Sequence, residues 1–475
     1  MSEHLDVLIV GAGLSGIDAA YRLQTKCPGR SWCIFEAREA IGGTWDLFRY
    51  PGVRSDSDMY TLGFPFRPWR GDRAIVEGPD IRSYIEETAR AFGIDRRIRF
   101  RRRIVSASWS SAEARWTVEV EADGERKRVT ASFLFLCSGY YRYDEGYRPE
   151  WPGEADFGGA IVHPQHWPED LDHRGKRVVV IGSGATAVTL VPALAETAAH
   201  VTMLQRSPSY IVSRPSRDPL AERLGARFGR LKNALLGLFF FNLARRRPER
   251  IRAKLIDLVR RDLPPDYDVE RHFGPAYNPW DQRLCLVPDG DLFVAIKAGK
   301  ASIVTDGIAR FTGDGIRLES GGEIAADMIV TATGLVMTLM GGIALSVDGE
   351  AVNPAERFVY KGMMMDGVPN LALSFGYINA SWTLKCDLTA LYVCRLLNFM
   401  DRHGYASCAP RLPDPPPVRQ PMLAFTSGYV RRAEGLLPAQ GDKAPWRVNQ
   451  NYLRDLVALR FETLTDGVME FRRAG

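Results

Sequence analysis

Two glycine-rich turns have the residue types and spacing that bind the pyrophosphate of a dinucleotide. The first, Gly11-Ala12-Gly13-Leu14-Ser15-Gly16, lies between the apolar run Val7–Val10 and a helical pattern. In such a turn the first glycine permits a tight bend, the second lets the backbone approach a pyrophosphate, and the third lets helix and strand pack closely. The free N–H groups at the start of the helix then point at the phosphates.

A carboxylate follows the first turn at the distance that a ribose requires. Glu36 ends the next apolar segment, Trp32–Phe35, about 20 residues after Gly16, and a carboxylate at that place accepts hydrogen bonds from ribose hydroxyls. Strand, glycine turn, helix and acid together predict a dinucleotide site. The alternative is a glycine turn that packs a helix on a strand without a ligand.

The second turn, Gly182-Ser183-Gly184-Ala185-Thr186-Ala187, differs in the residues that follow it. The next strand ends in Gln205-Arg206-Ser207 and carries no acid. Arg206 would pair with a 2′-phosphate, and Ser207 can donate a hydrogen bond to it, so this turn predicts NADPH. The alternative is that Arg206 is a solvated charge at a strand end.

We assign FAD to the first turn. Gly42-Gly43-Thr44-Trp45 follows Glu36 closely, and a flexible glycine pair beside a large ring suits packing along an isoalloxazine. Trp45 alone could equally be a core aromatic residue.

The elements that position these motifs predict an α/β protein with two Rossmann-type dinucleotide-binding domains. Residues 1–150 and 339–475 are expected to form the FAD-binding domain, and 151–212 and 286–338 the NADP-binding domain. Residues 213–285 are Arg-rich and helical in period, which predicts a helical insertion in the second domain.

Size and composition fit a globular protein of two or three domains. The 475 residues are 45% hydrophobic and 25% charged, with a net charge of +5 and no repeated basic and aromatic face that would indicate nucleic-acid binding. The seven cysteines include no C-x-x-C pair, so neither a disulfide framework nor a metal site is expected. No signal peptide or membrane-spanning run is expected, which predicts a cytoplasmic protein.

One segment predicts a peripheral membrane contact. Residues 234–244 are strongly apolar and precede Arg245-Arg246-Arg247, a combination that suits a helix lying on an anionic membrane. The segment is too short to span a bilayer. A substrate-tunnel wall and an oligomer contact are the alternatives.

A third motif, Phe157-Gly158-Gly159-Ala160-Ile161-Val162-His163-Pro164-Gln165-His166-Trp167-Pro168, lies just before the second glycine turn. It matches the pattern F-x-G-x-x-x-H-x-x-x-W-[P/D] at every fixed position, so the chain resembles the Baeyer–Villiger family of flavin monooxygenases. Residues 49–58, 278–283 and 379–385 resemble the subgroup that includes the ethionamide-activating monooxygenase. The resemblance implies that His163 and Trp167 couple the two domains and do not contact substrate.

The resemblance implies a reaction that uses NADPH, FAD and O2. Reduced flavin would form a C4a-peroxyflavin, which converts a ketone to an ester or lactone, or oxygenates the sulfur of a sulfide or thioamide. Among ketones, we favour bulky hydrophobic ones over small polar ones. The alternative function is an N- or S-oxygenating flavin monooxygenase without ketone activity. A disulfide oxidoreductase is disfavoured because no redox cysteine pair is present.

The resemblance also implies catalytic roles for Arg283 and Asp56. Arg283 matches the arginine that stabilises the peroxide beside the flavin, and Asp56 matches the carboxylate that orients it, with Asp58 as a rival. The alternatives are that Arg283 pairs structurally with Asp281 and that both aspartates cap a helix starting near Ser57.

Cofactor contacts are implied at further positions. The expected FAD contacts are Ser15, Thr44, Trp45, Asp46, Leu47, Asp56 and Ile104, and the expected NADP contacts are Arg54, Ser183, Gly184, Ala185, Thr186, Ala187, Val188 and Thr189.

Overall fold

Strands and helices alternate along the chain in a computed structural model that describes residues 3–474. The helices, in chain order, are α1 Leu14–Lys26, α2 Thr44–Leu47, α3 Met59–Leu62, α4 Gly78–Ala91, α5 Ala185–Leu194, α6 Pro219–Leu224, α7 Ala226–Arg246, α8 Pro248–Asp262, α9 Val269–Phe273, α10 Asp291–Lys297, α11 Trp382–His403, α12 Gly428–Arg431 and α13 Tyr452–Arg460. The strands are β1 His4–Val10, β2 Trp32–Phe35, β3 Ile98–Arg99, β4 Arg102–Ser110, β5 Arg115–Ala122, β6 Glu125–Leu136, β7 Tyr141–Gly146, β8 Ala160–Val162, β9 Arg177–Ile181, β10 His200–Gln205, β11 Ile211–Arg214, β12 Cys285–Pro288, β13 Ala301–Thr305, β14 Ile308–Thr312, β15 Gly315–Leu318, β16 Glu323–Ala325, β17 Met328–Thr331, β18 Leu335–Met337, β19 Ala344–Val347, β20 Glu350–Ala351, β21 Val359–Tyr360, β22 Met364–Met365, β23 Leu371–Leu373, β24 Ser407–Pro410, β25 Gln420–Pro421, β26 Ala439–Gln440 and β27 Met469–Arg472.

The first apolar run forms a central strand of the larger sheet. β1 pairs in parallel with β2 on one side and β6 on the other, so that Val7 lies between Trp32 and Phe133. The strand order is β20-β19-β4-β5-β6-β1-β2-β3, and β23 also pairs in parallel with β6. The β4–β5–β6 meander is antiparallel.

The second apolar run lies in a separate parallel sheet with the order β13-β10-β9-β17-β8. Four of the five residues of β9 are buried, which fits a strand that helices and loops cover on both faces. Each glycine turn therefore follows the carboxyl end of a central parallel strand, where doubly wound folds bind nucleotides. The predicted fold class, with two Rossmann-type units, is confirmed.

Two antiparallel strands carry the chain between the two sheets. β7 leaves the larger sheet and pairs with β18, which returns from the smaller one. Gln165, in the third sequence motif, donates hydrogen bonds from Nε2 to the carbonyl oxygens of Arg142 and Tyr143 on β7, at 2.9 and 3.0 Å. The His163 ring packs so closely on β7 that a Cβ on Gly146 would lie 1.9 Å from its Cε1 atom. The motif thus contacts the crossing strands, and neither His163 nor Trp167 belongs to the large cavity described below.

The Arg-rich region consists of α6 to α9, which lie between the parallel pair β11 and β12. Within residues 3–474, no helix is long and apolar enough to cross a membrane. The domain boundaries drawn from the sequence stay predictions.

Candidate active site

One cavity of about 920 Å³ joins the two glycine turns. A volume near the top of the usual range of about 300–1,000 Å³ for ligand sites suits large ligands. The wall includes fourteen of the predicted site residues: Gly11, Gly13, Ser15, Glu36, Thr44, Trp45, Arg54, Asp56, Ile104, Ala185, Thr186, Val188, Thr189 and Arg283. The fold therefore brings together residues that are far apart in sequence.

The first turn leaves no room for side chains at two of its glycines. Gly11 has φ +100°, and a Cβ there would lie 2.7 Å from the carbonyl oxygen of Cys137. A Cβ on Gly16 would lie 1.8 Å from the carbonyl oxygen of Gly11, closer than any real contact. The close approach of α1 to β1 thus depends on glycine, and it directs the helix N-terminus into the cavity.

Glu36 is held at the end of β2 by backbone donors. Its Oε2 accepts a hydrogen bond from the Ala12 N–H at 2.7 Å, and its Oε1 accepts one from the Arg38 N–H at 2.9 Å. Each carboxylate oxygen has a further lone pair, so the group can still accept ribose hydroxyls from the cavity side. These contacts fit the predicted ribose role.

An aromatic wall that the sequence analysis missed follows β6. Tyr140, Tyr141 and Tyr143 line the cavity together with Trp382. The rings of Tyr140 and Trp382 stack with centroids 5.0 Å apart, and the Trp382 Nε1–H donates to Ser15 Oγ at 3.0 Å. Burial raises the pKa of Tyr140 to about 12, so its hydroxyl stays protonated at neutral pH. The sequence signal that could have revealed this wall is the run of tyrosines directly after a strand end, at the carboxyl edge of the sheet.

Arg283 and Asp56 form an ion pair inside the cavity. Arg283 Nη1 donates to Asp56 Oδ2 at 3.0 Å, and the two side chains are 36% and 28% exposed, so both remain accessible to a ligand. The Asp56 carboxylate raises the pKa of Arg283 above its ordinary value even though burial opposes it, and the guanidinium stays charged.

The alternative carboxylate, Asp58, has a structural role. It is buried and caps α3, since its Oδ1 accepts from the Thr61 N–H at 3.0 Å. Asp281, the suggested structural partner of Arg283, instead accepts from the Asn278 N–H at 3.1 Å and lies 3.7 Å from Arg245. The geometry pairs Arg283 with Asp56.

The second turn resembles the first in its constraints. Gly182 has φ +134°, and a Cβ there would lie 2.4 Å from the carbonyl oxygen of Ala332. Ser183 Oγ donates to the Ser207 carbonyl oxygen at 3.1 Å, which ties the turn to the end of β10. Arg206 is exposed there, and within residues 3–474 it forms no ion pair. The cation is therefore available to a phosphate.

The cavity wall does not include nine of the predicted cofactor contacts: Gly16, Asp46, Leu47, Gly182, Ser183, Gly184, Ala187, Arg206 and Ser207. Asp46 and Leu47 do not belong to the cavity wall, because α2 turns Thr44 and Trp45 toward the cavity and directs Asp46 to the other side. The carboxylate of Asp46 is 2% exposed and forms ion pairs with Arg38, Arg49 and Arg82. Arg54 lines the cavity, but its guanidinium already pairs with Asp291. For Asp46 and Leu47 the wall gives no support to the predicted contact.

The two turns and the shared cavity define a protein that uses two dinucleotides together. The residues fit FAD at the first turn, where backbone donors, Glu36 and an aromatic wall meet, and NADPH at the second, where Arg206 replaces the acid.

Comparison with known proteins agrees with this class. The model of the family "Flavin-binding monooxygenase-like" matches residues 5–247. The chain is similar to the FAD-containing monooxygenase EthA of Mycobacterium tuberculosis (strain CDC 1551 / Oshkosh), with 55% identity covering 100% of this chain and 99% of that protein. The chain belongs to the flavin-binding monooxygenase-like family.

Solved structures of other monooxygenases are similar to this chain in fold. An oxidized steroid monooxygenase bound to NADP has a TM-score of 0.73 and 26% identity, covering 86% of this chain and 88% of that one. OTEMO in complex with FAD and NADP has a TM-score of 0.70 and 23% identity, with the same shares covered. The predicted family and cofactors are confirmed: the protein is an FAD-containing monooxygenase that uses FAD and NADPH.

Proposed function

We propose that this monooxygenase is of the Baeyer–Villiger type and inserts one oxygen atom of O2 beside the carbonyl of a ketone, giving an ester or lactone, water and NADP⁺. The observation that carries the proposal is the Arg283–Asp56 pair in the cavity that joins the two glycine turns. A fixed cation beside the reacting atoms stabilises negative charge that develops on oxygen.

The protein's own residues would bind and orient the substrate and would exclude water. When bound, FAD reduced by NADPH supplies the electrons that activate O2. Arg283 keeps its charge at all working pH values, and Asp56 fixes the direction of its Nη1–H. Tyr140 and Trp382 cover one side of the cavity with stacked rings, which limits the access of water to the charged pair.

An apolar substrate suits the remaining wall. Beyond the charged pair, the wall contains apolar side chains from three separate segments: Leu286, Leu335, Met340, Ile343 and Ala380. Such surfaces bind hydrocarbon chains without leaving a polar group unpaired. We infer that the substrate is a small molecule, either a hydrophobic ketone or a sulfide or thioamide oxygenated at sulfur.

The second candidate is an N- or S-oxygenating monooxygenase that leaves ketones unchanged. Sulfur oxygenation is favoured as a shared activity by the resemblance of residues 49–58, 278–283 and 379–385 to the ethionamide-activating subgroup. The peripheral membrane contact predicted for residues 234–247 is a separate proposal that does not depend on the reaction.

A substrate panel tests the proposal. The FAD-loaded enzyme is given NADPH, air and either a long-chain ketone, an aryl methyl sulfide or a tertiary amine, and the products are identified by gas chromatography with mass spectrometry. We expect ester from the ketone and sulfoxide from the sulfide. Sulfoxide or amine oxide without any ester would overturn the Baeyer–Villiger assignment and favour the second candidate.

A further inference from the structure

A row of large apolar side chains lies exposed along α6 and α7. On α7, Phe228, Leu231, Leu235 and Phe239 follow each other at helical spacing and are 38%, 53%, 41% and 65% exposed. Leu220 and Leu224 on α6 and Leu236 beside the row are also about half exposed. Single exposed leucines are ordinary, but a contiguous row of this length indicates an interaction surface. We call these seven residues the apolar row.

The opposite side of α7 packs against the rest of the protein. Gly229, Asn233, Ala234 and Ala244 are buried, and a Cβ on Gly229 would lie only 2.7 Å from the Ala221 Cβ atom. Arg230 Nη1, reaching inward, donates to the carbonyl oxygen of Gly63 at 2.7 Å. The helix is thus held by its inner face, and the row cannot turn inward without breaking these contacts.

Helix α7 carries an excess of cations, of which Arg230 reaches inward and Lys232 pairs with Asp218. Residues 226–246 contain five Arg and Lys residues and no Asp or Glu: Arg227, Arg230, Lys232, Arg245 and Arg246. Among the side chains of residues 3–474, those of Arg223, Arg227, Arg246, Arg247 and Arg250 form no ion pair. A surface that combines apolar groups with negative charge would therefore complement this face.

We propose that the α6–α7 face docks on an anionic lipid surface, with the apolar row at the acyl boundary and the arginines among the headgroups. The face starts at Leu220, well before the segment 234–247 that the sequence singles out. Within that segment, Ala234 and Ala244 face inward. The length and charge of the face fit a helix that lies in the membrane plane.

A second copy of this chain fits the face less well. A symmetric contact through the same patch would bring the unpaired arginines of both copies together, and the one acid on α6 and α7, Glu222, already lies 3.5 Å from Arg217. Like charges placed against each other disfavour association. A lipid bilayer with anionic headgroups supplies both the apolar interior and the missing negative charge.

Co-sedimentation of the full-length holoenzyme with vesicles tests the proposal. Vesicles of phosphatidylcholine alone are compared with vesicles of equal parts phosphatidylcholine and phosphatidylglycerol, each at low and high salt. We expect binding to the anionic vesicles at low salt and weaker binding in the other conditions, because the headgroup attraction is screened. Absence of binding to anionic vesicles at low salt would overturn the proposal.

Matched variants locate the binding surface. R223Q/R227Q should weaken vesicle partitioning by about tenfold or more, as should L235S/F239S, whereas R96Q/R473Q and V457S/F461S change the same kinds of exposed residue elsewhere and should not. The bound flavin of each variant is measured to show that it is folded. Equal losses in the control variants would contradict the proposal. So would a concentration-dependent oligomer, seen by analytical ultracentrifugation, that L235S/F239S dissolves.

Discussion

Asp56 and Asp58 are two residues apart, yet the structure gives them different partners. Asp56 holds Arg283, and Asp58 caps α3. Asn replaces Asp well as an N-cap, so Asp58→Asn should leave activity nearly unchanged. Asp56→Asn should lower the rate of ketone oxygenation by about tenfold, because the Arg283 guanidinium loses its charged partner. Steady-state rates with saturating NADPH check this, and equal effects of the two substitutions would contradict the assignment.

Asp18 on α1 is a buried carboxyl group whose ionisation the fold resists. Burial raises its pKa well above the ordinary value of 3.8, and the nearby Asp387 carboxylate adds to the rise. The folded chain therefore keeps a proton that the unfolded chain loses above about pH 4. The stability that this carboxyl contributes is complete below the unfolded pKa and is lost as the pH rises toward the folded pKa.

Asp18→Asn should remove this pH dependence, since an amide is polar but does not titrate. We expect the Tm of the variant to exceed that of the wild type at about pH 8 and the gain to shrink at about pH 5. Thermal unfolding followed by circular dichroism checks it, with the exposed Asp170→Asn as control. A gain of the same size at both pH values would mean that ionisation of Asp18 is not involved.

At the scale of the element, the β1–α1 turn depends on the space that Gly16 leaves. Gly16→Ala would place a Cβ 1.8 Å from the Gly11 carbonyl oxygen, so α1 must move away from β1. We expect a loss of more than about 3 kcal/mol of stability and little bound FAD. Gly29→Ala, in open space after the same helix, is the control. Normal flavin content in purified Gly16→Ala would refute the packing role.

The end of β10 should set the choice between NADPH and NADH. Arg206→Ala removes the exposed cation expected at the 2′-phosphate, so the KM for NADPH should rise about 10- to 100-fold while that for NADH changes little. Lys300→Ala removes an exposed charge at the opposite end of the same sheet and serves as control. An equal rise in KM for both nucleotides would show that Arg206 does not read the phosphate.

The nucleotide-binding elements could be predicted because their signals are local. Each joins an apolar strand, a glycine turn and a helix within about 30 residues. The role of the tyrosines after β6 and the orientation of Asp46 could not be predicted, because both depend on which face of a loop or short helix meets the cavity. Met363–Met365 and Trp446 are buried in the core, although large apolar side chains of this kind could equally line a pocket.

At the scale of the whole molecule, the cavity exists only because two units contact each other. Tyr50 and Val53 follow the first glycine turn in the sequence, but they pack in the apolar core of the second unit. A Cβ on Gly52 would lie 2.7 Å from the Ala193 Cβ atom of the α5 helix region. Residues 49–54 could be identified by their resemblance to the family. Their contact with the second unit could not be predicted, because no local pattern connects these parts of the chain.

The most direct test of the central claim is the fate of the oxygen atoms in a single turnover experiment with ¹⁸O2. The FAD-loaded enzyme, NADPH and a long-chain ketone are mixed under ¹⁸O2, and the product is analysed by mass spectrometry. We predict an ester that carries one ¹⁸O atom in its new C–O bond, and Arg283→Ala should lower its yield by about 10²–10³ while NADPH is still oxidised. Oxidation of NADPH with hydrogen peroxide as the sole product, or an unlabelled ester, would contradict the proposed function.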